Sequence, residues 1–205
     1  MPLAPPEKNL VLASASPRRR DLLSSVGIEF DVLPSMADEC VLPGETPEEH
    51  VVRLSKEKAN EVAGRHGNSR WYLGSDTIVL RDATILGKPK DPEDAAAMLR
   101  SLSGRSHRVL SGYAVFDRQN GTTVAGVVST KVRFKELTEQ EIAGYIDTGE
   151  PFDKAGSYAI QGIGAFMVLG IEGSYTNVVG LPLCEVVEVL ERIGAVRLFS
   201  RQEKV

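Results

Sequence analysis

Leu10-Val11-Leu12 runs through Ala13 into Ser14-Ala15-Ser16-Pro17-Arg18-Arg19-Arg20, and from there into an apolar pattern carried by Leu22, Leu23 and Val26. That order predicts a strand, a tight loop and a helix. Pro17 suits the first helical position, where its missing N–H would have no partner in any case, and Gly27 supplies the stop. Outward from this unit, a second strand is expected over residues 29–33. After a polar loop, Thr46-Pro47-Glu48-Glu49 forms a capping box with proline in the first turn, and the helix it opens is expected to reach about Ala63. Residues 71–80 read as a strand, Asp91-Pro92 starts a helix toward Leu102, Thr138 with Glu141 caps another ending near Gly149, and residues 182–193 close the set. Asn120-Gly121-Thr122 matches a glycosylation sequon, but reads better as an Asn-Gly turn between strands at 113–116 and 124–132. Strands and helices alternate early and a hairpin interrupts the middle. An α/β fold follows, with a mixed central β-sheet flanked by helices.

The chain has 205 residues, 42% of them hydrophobic and 25% charged, with 24 Lys+Arg against 28 Asp+Glu. This suits one domain over residues 1–205, bilobed at most, and is too apolar for an extended disordered chain. A formal net charge of −4 argues against a surface that binds nucleic acid, so any phosphate site must be local. Cys40 and Cys184 lie far apart, which supports neither a disulfide framework nor a zinc knuckle. Residues 1–9 have no basic segment followed by a long apolar one, and apolar stretches such as 164–171 fall far short of the ~20 residues of a membrane span. A cytoplasmic protein with no membrane partner is expected. Seven of the 19 glycines fall between Gly149 and Gly180, a sign of backbone turns or of close approach to a ligand.

The richest chemistry lies at Ser14-Ala15-Ser16-Pro17-Arg18-Arg19-Arg20. Three arginines crowd a helix start that already carries partial positive charge, which an anion would answer. Free N–H groups, two serine hydroxyls and guanidinium forks could hold a di- or triphosphate; a solvated basic turn is the alternative. No P-loop occurs, and Gly162-Ile163-Gly164 does not continue into a dinucleotide fingerprint. Asp76 is a lone carboxylate within an apolar strand, so it needs a metal, a water or another partner, unless it ties down a turn after Gly74. Lys58 shares the apolar stripe of the Thr46-capped helix with Val51, Leu54 and Val62, where it either meets a partner or snorkels past the core edge. Lys88, between Gly87 and Pro89, draws its weight from its company. Glu39 and Asp153 are alternative carboxylates that, with phosphates, could hold Mg²⁺ or Mn²⁺. Gln161 offers a donor and an acceptor to the edge of a uracil or thymine ring. His50, His66 and His107 show no ligand spacing and read as surface or structural residues.

Four segments together carry a resemblance over nearly the whole chain: Ser14-Ala15-Ser16-Pro17-Arg18-Arg19, Gly74-Ser75-Asp76-Thr77, Gly87-Lys88-Pro89, and Asp153-Lys154-Ala155-Gly156-Ser157-Tyr158-Ala159-Ile160-Gln161-Gly162. In order and spacing the chain resembles the Maf family of nucleotide pyrophosphatases. The resemblance implies a mixed α/β fold with a central groove, a divalent metal cation (Mg²⁺ or Mn²⁺), a homodimer, and cleavage of a nucleoside triphosphate between its α and β phosphates. The Gly-Ser-Tyr-Ala-Ile-Gln-Gly form is similar to the branch acting on dTTP and UTP, whereas branches acting on 7-methyl-GTP differ here. Carried over residue by residue, Asp76 would be the general base, and Arg18, Thr77 and Gln161 would set specificity. Ser14, Arg19, Lys58 and Lys88 would line the phosphate path, and Glu39 would help hold the metal or orient the water. A broader pyrimidine or 7-methyl-GTP activity is the alternative within the chemistry. A nucleotide sensor that does not hydrolyse, in line with the family's association with septum formation, is the alternative outside it.

Overall fold

The computed structural model describes residues 9–199. The amino-terminal stretch read above as lacking a secretory signal therefore lies, Asn9 apart, outside the described residues. A seven-stranded mixed sheet forms the centre, built from β1 (Leu10–Leu12), β2 (Asp31–Val32), β3 (Trp71–Arg81), β4 (Thr84–Leu86), β5 (Ser106–Asp117), β6 (Thr122–Phe134) and β7 (Val168–Glu172). Among the described residues six α-helices accompany it: α1 (Pro17–Ser25), α2 (Pro47–Arg65), α3 (Pro92–Leu102), α4 (Glu139–Asp147), α5 (Tyr175–Val179) and α6 (Leu183–Arg192). The strand order is β2-β1-β3-β5-β6-β7, and β1 runs parallel to both of its neighbours while the β3-β5-β6-β7 ladder is antiparallel.

The arrangement around β3 decides where a ligand can sit. One edge of β3 is paired with β5 from Trp71 to Leu80. The other edge is shared, with β1 on Trp71, Tyr72 and Leu73, and β4 on Val79, Leu80 and Arg81. Between them Gly74 to Ile78 have no strand partner on that side, so the sheet splits where β1 ends and its chain turns into α1. A crevice at the carboxyl end of a parallel strand, where connections diverge, is the usual ligand position in α/β sheets.

Alternation along β3 sends Tyr72, Gly74, Asp76 and Ile78 to one face, and Leu73, Ser75, Thr77 and Val79 to the other. The first face is covered by α2, whose Val51, Ala59 and Val62 are fully buried against it. Gly74 allows a close approach there, since a Cβ at that position would stand 2.0 Å from the Ser55 carbonyl oxygen. On the second face the core divides. Leu73 packs with Leu23, Leu181 and Val186, whereas Val79 packs with Leu99, Phe134 and Tyr158. The core on this face is thus two clusters, one toward each end of β3.

The helices anticipated from capping signals are present. Ser16, Thr46, Asp91 and Thr138 accept from backbone N–H groups of the first turns of α1, α2, α3 and α4, and Thr46–Glu49 and Thr138–Glu141 are complete capping boxes. Three strand details depart from expectation. The strand expected over residues 29–33 shrinks to Asp31–Val32, because only Val11 and Leu12 of β1 pair with it. The central hairpin is longer at both arms, 106–117 and 122–134. Its connection is a four-residue loop rather than a two-residue Asn-Gly turn, because the Asp117 carboxylate accepts from the N–H groups of Gln119 and Asn120.

Candidate active site

The crevice beside β3 is a groove of about 590 Å³ lined from several elements at once, including the loop before α1, α2, the 87–88 turn and residues 153–161. Arg19 occupies its floor. Buried to 9% exposure, its guanidinium donates from Nε to the Gly180 carbonyl at 2.8 Å, from Nη1 to Ser14 Oγ at 3.0 Å and from Nη2 to Thr77 Oγ1 at 3.0 Å. Burial pulls its pKa below the usual arginine value while the Asp76 and Glu39 carboxylates oppose the shift. A guanidinium stays charged under such conditions, so the floor of the groove is a fixed cation.

Thr77 is held as firmly. Its Oγ1 lies 2.8 Å from Ser111 Oγ and 3.2 Å from the Gly180 carbonyl, and Ser111 Oγ in turn donates to the Asn177 carbonyl at 3.0 Å. Gly180 thus receives donors from two of the candidate residues through its backbone. Sequence reasoning did not find Gly180, Ser111 or Asn177. A carbonyl oxygen carries no side-chain signature, and Ser111 reads as an ordinary strand residue.

On the opposite face of β3, Lys58 Nζ lies 2.7 Å from Asp76 Oδ1 and 2.6 Å from Glu39 Oε1. The Lys58 and Asp76 side chains are only 8% and 10% exposed, whereas Glu39 is 55% exposed. Lysine on the apolar stripe of α2 is therefore not snorkelling. It is the partner that Asp76 requires, a role for which the sequence had offered a metal, a water or a turn. Gly112 stands opposite Asp76 in the ladder, and a Cβ there would stand 2.2 Å from the Val51 carbonyl oxygen, so α2 lies close enough for the pair to form.

Arg18 reaches across the groove to Asp153, Nη1 to Oδ2 3.1 Å, and Asp153 is also paired with Lys154 at 2.5 Å. Those two cations hold Asp153 below the usual carboxylate range against its burial, which acts to raise it. Lys88 lines the groove from an exposed turn whose position is fixed by a bond from the Gly156 N–H to the Gly87 carbonyl, 2.9 Å. Gly156 has φ +68°, and a Cβ there would stand 2.9 Å from Val79, so this glycine is needed both for the turn and for its seat on β3. Gln161 also lines the groove and is exposed. Of the three arginines at the helix start, Arg20 lies apart, paired with Asp21 at 3.3 Å.

Of the three histidines read as surface or structural residues, His66 is half-buried and the other two are buried. His50 is buried against the groove with Nδ1 2.6 Å from Glu45 Oε1, and His107 is buried with Nε2 2.7 Å from the Tyr158 hydroxyl.

For a divalent cation the donor set is two carboxylates. Asp76 and Glu39 each give one oxygen to Lys58, and the others, Asp76 Oδ2 and Glu39 Oε2, carry no hydrogen bond among the described residues. Asp153 is committed to Arg18 and Lys154. Among the described residues no group of three His, Cys, Asp or Glu side chains could hold a metal. Two hard oxygen donors fit a Mg²⁺-type ion whose shell is completed by water and substrate phosphates, and do not fit a cage made by protein alone.

The family model described as Maf-like protein matches residues 9–193. This chain is 68% identical over 195 residues to a dTTP/UTP pyrophosphatase of Syntrophotalea carbinolica, covering 95% of this chain and 89% of that protein. It is 57% identical over 190 residues to a dTTP/UTP pyrophosphatase of Geotalea uraniireducens, covering 93% and 97%. Among solved structures, a nucleoside-triphosphatase / dITP/XTP pyrophosphatase from Mycobacterium abscessus matches 91% of this chain and 96% of its own at 16% identity and a TM-score of 0.43.

Proposed function

The chain belongs to the Maf-like protein family, and from that premise we propose that it is a nucleoside triphosphate pyrophosphatase that hydrolyses dTTP and UTP to the monophosphate and pyrophosphate. The names of its relatives support the substrate. The observation that carries the chemistry is the placement of a Lys58-bound carboxylate pair, Asp76 and Glu39, on the same groove as Arg19, Arg18 and Lys88.

Phosphoanhydride hydrolysis needs neutralised phosphates and a positioned water more than covalent chemistry. Arg19 and Ser14 form the floor of the phosphate path, and Arg18 and Lys88 line the same groove. Asp76 takes the proton of the water that attacks the α phosphorus, while the bond to the β phosphate breaks and pyrophosphate departs. Lys58 holds the Asp76 carboxylate in place, so that Asp76 acts from a fixed position. Glu39 and Asp76 would hold Mg²⁺ or Mn²⁺ together with substrate oxygens, and the ion would supply charge neutralisation on the phosphates. Thr77, Gln161 and Arg18 set the preference for the base. The same reading takes residues 1–205 as one functional unit, a cytoplasmic homodimer acting on free nucleotide without nucleic-acid or membrane partners. Among the described residues no helix is long and apolar enough to cross a membrane.

The test is pyrophosphate release from dTTP, UTP, CTP, dATP, GTP and 7-methyl-GTP with Mg²⁺ or Mn²⁺. Turnover confined to dTTP and UTP supports the reading. Turnover of 7-methyl-GTP or of every pyrimidine overturns the base assignment, and tight binding without turnover under either metal overturns the enzyme in favour of a sensor.

A further inference from the structure

Glu39 belongs to a loop, residues 33–46, that has no strand or helix of its own. Its backbone is tied down by side chains of α2 and by Glu45. Arg65 Nη2 donates to the Pro34 carbonyl at 2.7 Å, and the Met36 N–H donates to Glu61 Oε2 at 3.0 Å. Nearest to Glu39, Arg53 Nη2 donates to the Cys40 carbonyl at 2.9 Å. The same guanidinium grips both oxygens of Glu45, Nε to Oε2 and Nη2 to Oε1, each at 2.8 Å, and its Nη1 reaches Glu57 at 2.9 Å. Glu45 Oε1 also accepts from the Leu42 N–H at 2.8 Å and faces His50 Nδ1. The Glu45 and Arg53 side chains are 10% and 22% exposed. Their bond holds Glu45 well below the usual carboxylate range and raises Arg53 above the usual arginine value.

This knot stands on the helix that carries Lys58, five residues away along α2. Glu39 is 55% exposed, so its 2.6 Å contact with the buried Lys58 does not by itself locate the loop. The bond to the neighbouring Cys40 carbonyl does. We propose that Arg53 is a positioning residue for hydrolysis, which fixes Glu39 over the Lys58–Asp76 pair by clamping the Cys40 carbonyl and Glu45 at once. The planar guanidinium is required because three acceptors in different directions are served by one rigid group, which an ammonium cannot do. The inference rests on the proposed part of Glu39 in the site.

The test is a double-mutant cycle of Arg53→Lys with Glu39→Gln, measured as kcat on saturating dTTP with Mg²⁺. Arg53→Lys alone is expected to lower kcat by about ten- to a hundred-fold, the scale of a slightly misplaced group, with KM for dTTP nearly unchanged. On the Glu39→Gln background it should cost less than about two-fold more, since a group that acts through Glu39 has nothing left to position. Equal losses on both backgrounds overturn the inference and leave the active-site reading intact. If Glu39→Gln alone leaves kcat unaltered, the part assigned to Glu39 fails and the inference falls with it. Hydrogen exchange supplies a readout independent of turnover. Faster exchange confined to residues 36–45 is expected in Arg53→Lys, with β3 unchanged, and an unaltered loop overturns the clamp. If Arg53→Lys does not fold, Glu45→Gln, which keeps the Cys40 bond but loosens the second anchor of the guanidinium, should give a smaller loss of kcat that vanishes on the Glu39→Gln background, and an equal loss on both backgrounds overturns the inference.

Discussion

Lys58 Nζ donates to Asp76 Oδ1 at 2.7 Å between two side chains that are each about nine-tenths buried, joining the middle of α2 to the unpaired edge of β3. The pair gives Asp76 a fixed charge partner without consuming its second oxygen. Asp76→Asn keeps an oxygen for Lys58 to bond but removes the base, so turnover should fall by about 10²- to 10⁴-fold. Glu39 still balances Lys58 in the variant, and the cost in stability should stay near 1–2 kcal/mol, a shift in Tm of about 2–8 °C. Hydrolysis and thermal melts on the purified variant check both halves. Near-normal hydrolysis removes Asp76 from the role.

The same pair depends on how closely α2 approaches the sheet. Gly74→Ala introduces a Cβ that would meet the Ser55 carbonyl oxygen at 2.0 Å and the Ala59 N at 2.8 Å, both backbone atoms that no rotamer can move. The helix must shift, at a cost of about 3 kcal/mol or more, the upper end for overpacked cores. A fall in Tm of at least about 6 °C is expected, with activity reduced because Lys58 moves with its helix. An unchanged melting curve would mean that α2 stands farther from β3 than described.

How much of this was legible follows from where the information lies. The starts of α2 and α4 were readable because a capping box is local, four residues that satisfy one another's donors. Lys58 and Asp76 were readable as charges in apolar company, and the structure joins them. Non-local pairing escaped. β7 exists because Lys131 to Phe134 extend a ladder to it, and α5 because Ser174 caps a five-residue helix within a glycine-rich stretch that has no helical period. Gly180 matters through its carbonyl, which any residue would supply, and Arg53 looks like a surface arginine until the loop folds back onto it.

Arg19 tests whether geometry or charge governs the groove floor. Arg19→Lys retains the charge but can serve only part of the set formed by the Gly180 carbonyl, Ser14 Oγ and Thr77 Oγ1. With part of that set unserved the cation is no longer held in one place on the groove floor, and kcat/KM for dTTP should fall by about ten- to a hundred-fold, the scale of a slightly misplaced group. Because Thr77 loses a fixed neighbour, the preference for dTTP and UTP over CTP should narrow as well. Wild-type kcat/KM in Arg19→Lys would mean that the floor acts as a point charge alone.

Beside the Val79 cluster lies a buried titrating group whose partner, Tyr158, also lines the groove. His107 is 3% exposed, with the Tyr158 hydroxyl on Nε2, the rings of Phe134 and Tyr158 edge-on to it, and no partner for Nδ1 among the described residues. Burial pushes its pKa down from 6.5 to about 4. Between those values the unfolded chain binds the proton and the folded chain does not, so its contribution to stability is complete above pH 6.5 and is lost as pH falls toward 4. From pH 7.5 to pH 5 the loss should be about 2 kcal/mol, on the scale of 1.36 kcal/mol per unit. Carboxylates held low, such as Glu45 and Glu150, have unfolded values near 4.5 and draw on stability mainly below that pH, which leaves the upper part of the window to His107. Urea unfolding at pH 7.5, 6 and 5 should therefore show a slope that His107→Phe flattens. The same slope in both proteins would place the proton uptake on another group.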